Sequence, residues 1–345
     1  WFQMSCSRNR NGFTSRPVSI ELISKYRTEL MGIAMLLVVL FHGYVPQSSW
    51  FYGLKRMGNV GVDVFLFLSG IGLWFSWRSC PNLKHFYKQR FLRVYPTWLL
   101  LASCFYGFHF YLKSGFSNDV FDLLGDVIAH LDFWLHGELT FWYIPALMAL
   151  YLISPFYIQL VNRNRLYTWL AIVPIVWCCA VAWITPLHHA LWHLEIFWSR
   201  ISIFLIGINI APYILQKKEL PPNTRPLLWI MFLFPLVVAC YLEQWEHGHY
   251  PLFINRMLYI PITISGVLIA SEALQHTNKV VKQCWAFLGS ISLELYLLHL
   301  HFILVPLQRY HLNYFVTLVL CLAISIPLAM LVQRIVSFTL KYINR

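Results

Sequence analysis

Leu30-Met31-Gly32-Ile33-Ala34-Met35-Leu36-Leu37-Val38-Val39-Leu40-Phe41-His42 carries no charge, and its apolar run closes on an imidazole. A helix needs about 20 mostly apolar residues to span the hydrocarbon layer. This stretch anchors the first of ten such runs: Leu30–Val45, Gly61–Trp77, Val94–Leu112, Phe141–Val161, Tyr167–Thr185, Ile196–Leu215, Pro226–Leu242, Met257–Ser271, Ile291–Val305 and Tyr314–Val336. The eighth and ninth are short. Composition agrees, since 59% of the residues are hydrophobic and only 12% are charged. A soluble globule carries about 25% charged residues, so this chain lacks the polar surface to face water. The mean hydropathy is +0.59. The 15 Trp, 19 Tyr and 26 Phe suit interfacial belts. The reading is an all-α polytopic membrane protein, a bundle of about ten transmembrane helices; disordered, collagenous and disulfide-rich secreted classes are excluded. The expected organisation is a cytoplasmic segment 1–28, a transmembrane domain 29–338 and a cytoplasmic tail 339–345.

The net charge of +12 would raise nucleic-acid binding in a soluble protein. Here the accumulation of Lys and Arg in cytoplasmic loops is the better explanation, and no nucleic-acid partner is expected. With the N-terminus inside, only Lys55, Arg56, Lys113, Arg200, Arg256 and Arg309 fall outside, against the other 20 of the 26 basic residues. Both termini are therefore read as cytoplasmic, in the inner (plasma) membrane. The eight cysteines have no metal-ligand spacing, and no metal is expected.

Ionisable residues in or beside spans are costly, and are candidates for function. Arg90 and Arg93 lie three apart at the cytoplasmic entrance of span three, on one helical face. Two guanidiniums so placed can grip phosphate by forked hydrogen bonds, though from spacing alone anchoring at anionic headgroups is the more ordinary explanation. His42, in the outer half of span one, has the chemistry of a general base, or of a helix-packing polar group. Asp63 enters span two from the same outer side, where a carboxylate would orient the ring. Glu138, Trp142, Tyr143, Arg200, Glu294 and His299 share that side and suggest a polar outer cavity.

At these residues the sequence resembles the acyltransferase-3 family of integral membrane O-acyltransferases, from about Arg27 to about Ile335. The marks are Gly32-Ile33-Ala34 through His42, Gly61-Val62-Asp63-Val64-Phe65 through Ser69-Gly70, Arg90-Phe91-Leu92-Arg93-Val94-Tyr95-Pro96, Phe141-Trp142-Tyr143-Ile144, Arg200 through Gly207, and Gly289-Ser290-Ile291-Ser292 leading to Tyr296-Leu297-Leu298-His299. The resemblance implies a ten-helix core that moves an acyl group, often acetyl, from cytoplasmic acyl-CoA to a carbohydrate hydroxyl of the cell envelope or of a lipid-linked precursor. It makes His42 the essential histidine and Arg90 and Arg93 the RxxR pair. One departure stands out: the family has Arg eleven residues before its histidine, and this chain has Met31. Arg27, one turn earlier on the same face, is the expected substitute.

The expected division of labour follows depth. Arg90, Arg93, Arg27 and Lys88 meet the phosphates of acyl-CoA, His42 deprotonates the acceptor with Asp63 orienting its ring, and Ser69, Glu138, Trp142, Tyr143, Arg200 and His299 form the acceptor site. From Met31 to His42 the helix rises about 16 Å, a gap that an extended pantetheine arm bridges. A non-catalytic sensor of the same fold, or a transporter, are the alternative classes. The sequence leaves the acceptor, the acyl length and the oligomeric state open.

Overall fold

The structure is a computed structural model that describes residues 17–112 and 119–343. Arg8, Arg10 and Arg16 of the N-terminal segment, Lys113 of the loop after the third span and Arg345 lie outside the described residues. The main helices are α1 (Arg27–His42), α2 (Val60–Ser79), α3 (Leu83–Tyr111), α4 (Val120–Ala129), α5 (Tyr143–Arg163), α6 (Val173–Trp183), α7 (Glu195–Leu215), α8 (Thr224–Trp245), α9 (Leu252–His276), α10 (Lys279–Ser290), α11 (Ser292–Leu298) and α12 (Tyr314–Ile343). The described chain is thus almost wholly helical.

Each of the ten expected runs is occupied by helix, but they differ in fitness to cross a bilayer. Seven helices are long and apolar enough, and an eighth crossing is available if α10 and Ser292–Gln308, bent by 60°, act as one span. The two that fall short are α1, with 16 residues, and α3, whose apolar half is interrupted by His and Tyr. At 29 residues α3 is about 43 Å long, more than the roughly 30 Å hydrocarbon layer, so its basic N-terminal turns have room to stand clear of lipid. Asn82 starts it, its side chain accepting the backbone N–H of His85. The eighth run, which looked short in sequence, is the 25-residue α9. α12 runs on through residues 339–343 of the expected cytoplasmic tail.

Helices meet where side chains vanish. A Cβ on Gly32 would collide with the backbone carbonyl of Trp285, and one on Gly289 with that of Thr28, so α1 and α10 cross at backbone contact. Gly70 and Gly207 do the same for α2 and α7, against Phe204 and Phe67. Lipid tails are as apolar as leucine, so close backbone packing, rather than hydrophobic gain, joins such helices. α2 is the centre of the bundle, with 83% of its apolar window buried, while α8 at 22% and α12 at 28% form the periphery. A two-residue antiparallel pairing, Val18 with Leu220 and Ser19 with Glu219, ties the segment before α1 to the loop after α7. Those two segments therefore lie at one end of the bundle.

Candidate active site

Three arginines converge on one cavity. Arg27 opens α1, and its Nε donates to the carbonyl of Leu68 at 3.2 Å. This carries the guanidinium across α2 at Gly72, where any Cβ would strike it. From α3, Arg90 donates to Ser76 Oγ at 2.8 Å and lies over the Phe86 ring. Arg93, one turn on, reaches the same space. All three line a cavity of about 240 Å³, with Met31 beside them. None forms an ion pair among the described residues, and Glu294 is the one carboxylate in the lining. Three like charges beside a single carboxylate repel, at a cost that an anionic ligand reduces. Arg90 Nε is buried without a hydrogen-bond partner, as is Arg200 Nε elsewhere in the bundle.

The cavity is elongated. Val62, Phe65, Ser69 and Leu73 all line it, which is a single stripe of α2 at helical spacing. From Val62 to Leu73 that stripe rises about 16 Å. Away from the arginines the walls become phenolic: Tyr143 and Tyr296 face each other with ring centroids 5.1 Å apart. His42 is not in the lining. The Tyr296 ring lies 6.0 Å from that of His299, and His299 Nε2 is 3.1 Å from His42 Nδ1. The passage from the arginines thus stops one aromatic ring short of the histidine pair.

His42 is half-buried at the C-terminal end of α1. Its Nδ1 lies 2.9 Å from the carbonyl of Val38 as well as against His299. The contact expected with Asp63 is not formed. Asp63, 1% exposed, projects from the other side of α2 and pairs with Arg200 at 3.5 Å. Next to Val62 in sequence, it is rotated about 100° from the cavity stripe. The residue against the His42 ring is therefore a second histidine.

Other candidates are dispersed. Ser69 and Tyr143, expected in the acceptor site, line the cavity of the three arginines, whereas Arg200, also 1% exposed, pairs with Asp63 and donates to Asn59 Oδ1 at 2.9 Å. Trp142 covers that guanidinium, 5.1 Å from ring centroid to Cζ. Glu138 belongs to a separate acidic group, accepting the Thr140 N–H and lying 3.6 Å from His130. Lys88 is exposed and outside the lining; two residues from Arg90, it points roughly the opposite way. Tyr151 and Tyr296 line the cavity without having been singled out as site residues, because a tyrosine in an apolar helix announces no face. Near Glu138, Asp122, Asp126 and Asp132 bring carboxylate oxygens within 4.8 Å of one another. His136 and the backbone N–H of Asp132 already engage this group, and among the described residues nothing further marks it as a metal centre.

Comparison with known proteins supplies the family of a chain with this cavity. The acyltransferase-3 family model, which describes an acyltransferase domain, matches residues 30–334. The chain belongs to the acyltransferase-3 family. The match takes in His42, Arg90, Arg93, Tyr296 and His299, and leaves Arg27 just outside. A protein of the Acidianus two-tailed virus named "Putative acetyltransferase ORF330" is 27% identical over 287 residues, covering 79% of this chain and 81% of its own length. No solved structure matches. The chain is accordingly an acyltransferase of multi-pass membrane type.

Proposed function

We propose that this acyltransferase takes an acyl group, acetyl by default, from acyl-CoA at the arginine end and gives it to a carbohydrate hydroxyl at the histidine end. The supporting observation is the convergence of Arg27, Arg90 and Arg93, without ion-pair partners among the described residues, on one end of a cavity whose α2 stripe rises about 16 Å. CoA supplies what each part lacks. Its phosphates neutralise the three guanidiniums through forked, charge-assisted hydrogen bonds, and its pantetheine arm is thin enough for the passage and long enough to cross it. With CoA made in the cytoplasm, the arginine end is the cytoplasmic one, both termini are cytoplasmic, and the acceptor approaches from outside the inner membrane.

In the reaction, the acceptor oxygen attacks the thioester carbonyl as His42 removes the hydroxyl proton. The acyl–oxygen bond forms, the carbon–sulfur bond breaks, and the proton returns from His42 to the departing CoA sulfur. Arg27 stands in for the arginine that Met31 displaces, reaching the cavity from one turn earlier. Tyr296 lines the cavity and its ring lies 6.0 Å from that of His299, so in this reading transfer involves a shift of that ring. Incubating the purified protein with radiolabelled acetyl-CoA and an envelope-glycan acceptor tests the reading. Acceptor labelling by the wild type and none by His42→Ala, with CoA affinity unchanged, is the expected result; full turnover by His42→Ala removes the base. Binding of CoA with no labelling of protein or any acceptor would favour a sensor.

A further inference from the structure

The face of His42 that a carboxylate was expected to hold is held by another ring. His299 is fully buried, at 0% exposure. Its Nδ1 lies 3.0 Å from the carbonyl of Leu295 and 2.8 Å from that of Tyr296. Carbonyl oxygens only accept, so the His299 proton sits on Nδ1 and the lone pair on Nε2. That Nε2 is the atom 3.1 Å from His42 Nδ1. A lone pair there needs a donor, which places the His42 proton on Nδ1, shared with the carbonyl of Val38 at 2.9 Å. His42 Nε2 is then the unprotonated nitrogen. The chain of donors runs one way, from His42 through His299 to the backbone.

The backbone around His299 is unusual in a manner that fits. His299–Leu304 is a π-helical turn between two α-helical stretches, and such turns are rare and concentrate at functional positions. Its first carbonyl, that of His299, lies 3.5 Å from the buried Cys321 thiol of α12. The groups facing the pair come from several elements. They are Val38 O of α1, His301 of the π turn, and Lys55 of the short Tyr52–Arg56 helix, whose ammonium lies over the neighbouring Phe41 ring. No carboxylate contacts either ring among the described residues.

We infer that His299 is the positioning residue of the active site: it fixes the tautomer and orientation of His42, the place that an acid residue would otherwise fill. This rests on His42 as the base. In the step, His42 Nε2 takes the proton of the acceptor hydroxyl while Nδ1–H stays donated to His299 Nε2. The new positive charge is met by a neutral lone pair. The proton then leaves Nε2 for the CoA sulfur, and His299 ends as it began. His299 touches neither substrate in this scheme, so its loss acts on turnover and not on binding.

Steady-state kinetics of purified wild type, His42→Ala, His299→Phe and His299→Gln test this, with thermal melting as the check on folding. His299→Phe is expected to lower kcat about 100-fold, the lower end of what general base catalysis contributes, with the KM for acetyl-CoA and for the acceptor within about twofold. His299→Gln keeps an acceptor oxygen for His42 Nδ1–H and is expected to recover about tenfold of that loss. Normal kcat in His299→Phe beside an inactive His42→Ala overturns the positioning role and leaves the base standing. Normal kcat in both removes the base itself. Should His299→Phe fail to fold, ¹⁵N spectra of ring-labelled wild type decide the matter, with assignment by His42→Gln. A protonated Nδ1 and bare Nε2 on His42 support the inference, and the reverse tautomer refutes it.

Discussion

Arginines gather toward both ends of α2, and the two sets live differently. Near its start, Arg200 pairs with Asp63, Arg256 with Glu195, and Arg56 with Glu243 at 2.8 Å. His247 and Asn255 complete the last of these. Toward its other end, Arg27, Arg90 and Arg93 form no ion pair among the described residues; a serine hydroxyl, a carbonyl and an aromatic ring contact them, and Glu294 is the one carboxylate sharing their cavity. Depth alone would have treated all six as candidates. What separates them is counter-charge: a guanidinium matched inside the fold has spent its attraction on packing, whereas one held beside others of like sign is free to be neutralised by a ligand. Burial points the same way, since the matched pairs sit where water cannot compensate a broken partner.

The largest effect that would sharpen this contrast is structural. Arg200→Ala strands the Asp63 carboxylate in the bundle, and breaking a buried pair costs about 3–5 kcal/mol; thermal melting in detergent is expected to fall sharply. Replacing both partners, as Asp63→Leu with Arg200→Met, should recover most of the loss. Next, the Arg90→Ala/Arg93→Ala double variant should melt like wild type yet bind CoA about 100-fold more weakly, since each charge-assisted bond is worth about 1.5–3 kcal/mol and tenfold in affinity is about 1.4 kcal/mol. Titration calorimetry reads this, and a matching loss from Arg200→Ala in its folded fraction would break the distinction. Arg27→Ala is expected to weaken CoA binding about tenfold, and Met31→Leu to leave it unchanged. The opposite order would mean that the cation displaced by Met31 was not replaced. Smallest of all, Gly72→Ala pushes on the end of a flexible guanidinium and should shift CoA affinity by about threefold or less.

Much of this was readable from the chain. Apolar runs bounded by charge located the helices, and the three-residue spacing of Arg90 and Arg93 put them on one face. Other features depended on rotation about a helix axis, which a uniformly apolar helix conceals. α2 is apolar all round, so nothing in it revealed that Val62, Phe65, Ser69 and Leu73 line the passage while Asp63 turns toward Arg200. Lys88 illustrates the converse: its distance of two residues from Arg90 already argued against a shared face. Arg200 and Asp63 are far apart in sequence, and only packing of α2 on α7 introduces them. His299 was visible as a polar residue in an apolar helix, but its partner was not, because the crossing that brings it to His42 depends on the bend between α10 and α11 and on the π turn.

The claim on which the account rests is that the guanidiniums toward the end of α2 hold the donor and those near its start hold the fold. Calorimetric titration of CoA at fixed ionic strength, comparing wild type, Arg90→Ala/Arg93→Ala and Asp63→Leu/Arg200→Met, addresses it most directly. The account predicts that affinity falls about 100-fold in the first variant and stays within about twofold in the second. Equal affinities in all three proteins, or a loss confined to Asp63→Leu/Arg200→Met, would contradict it.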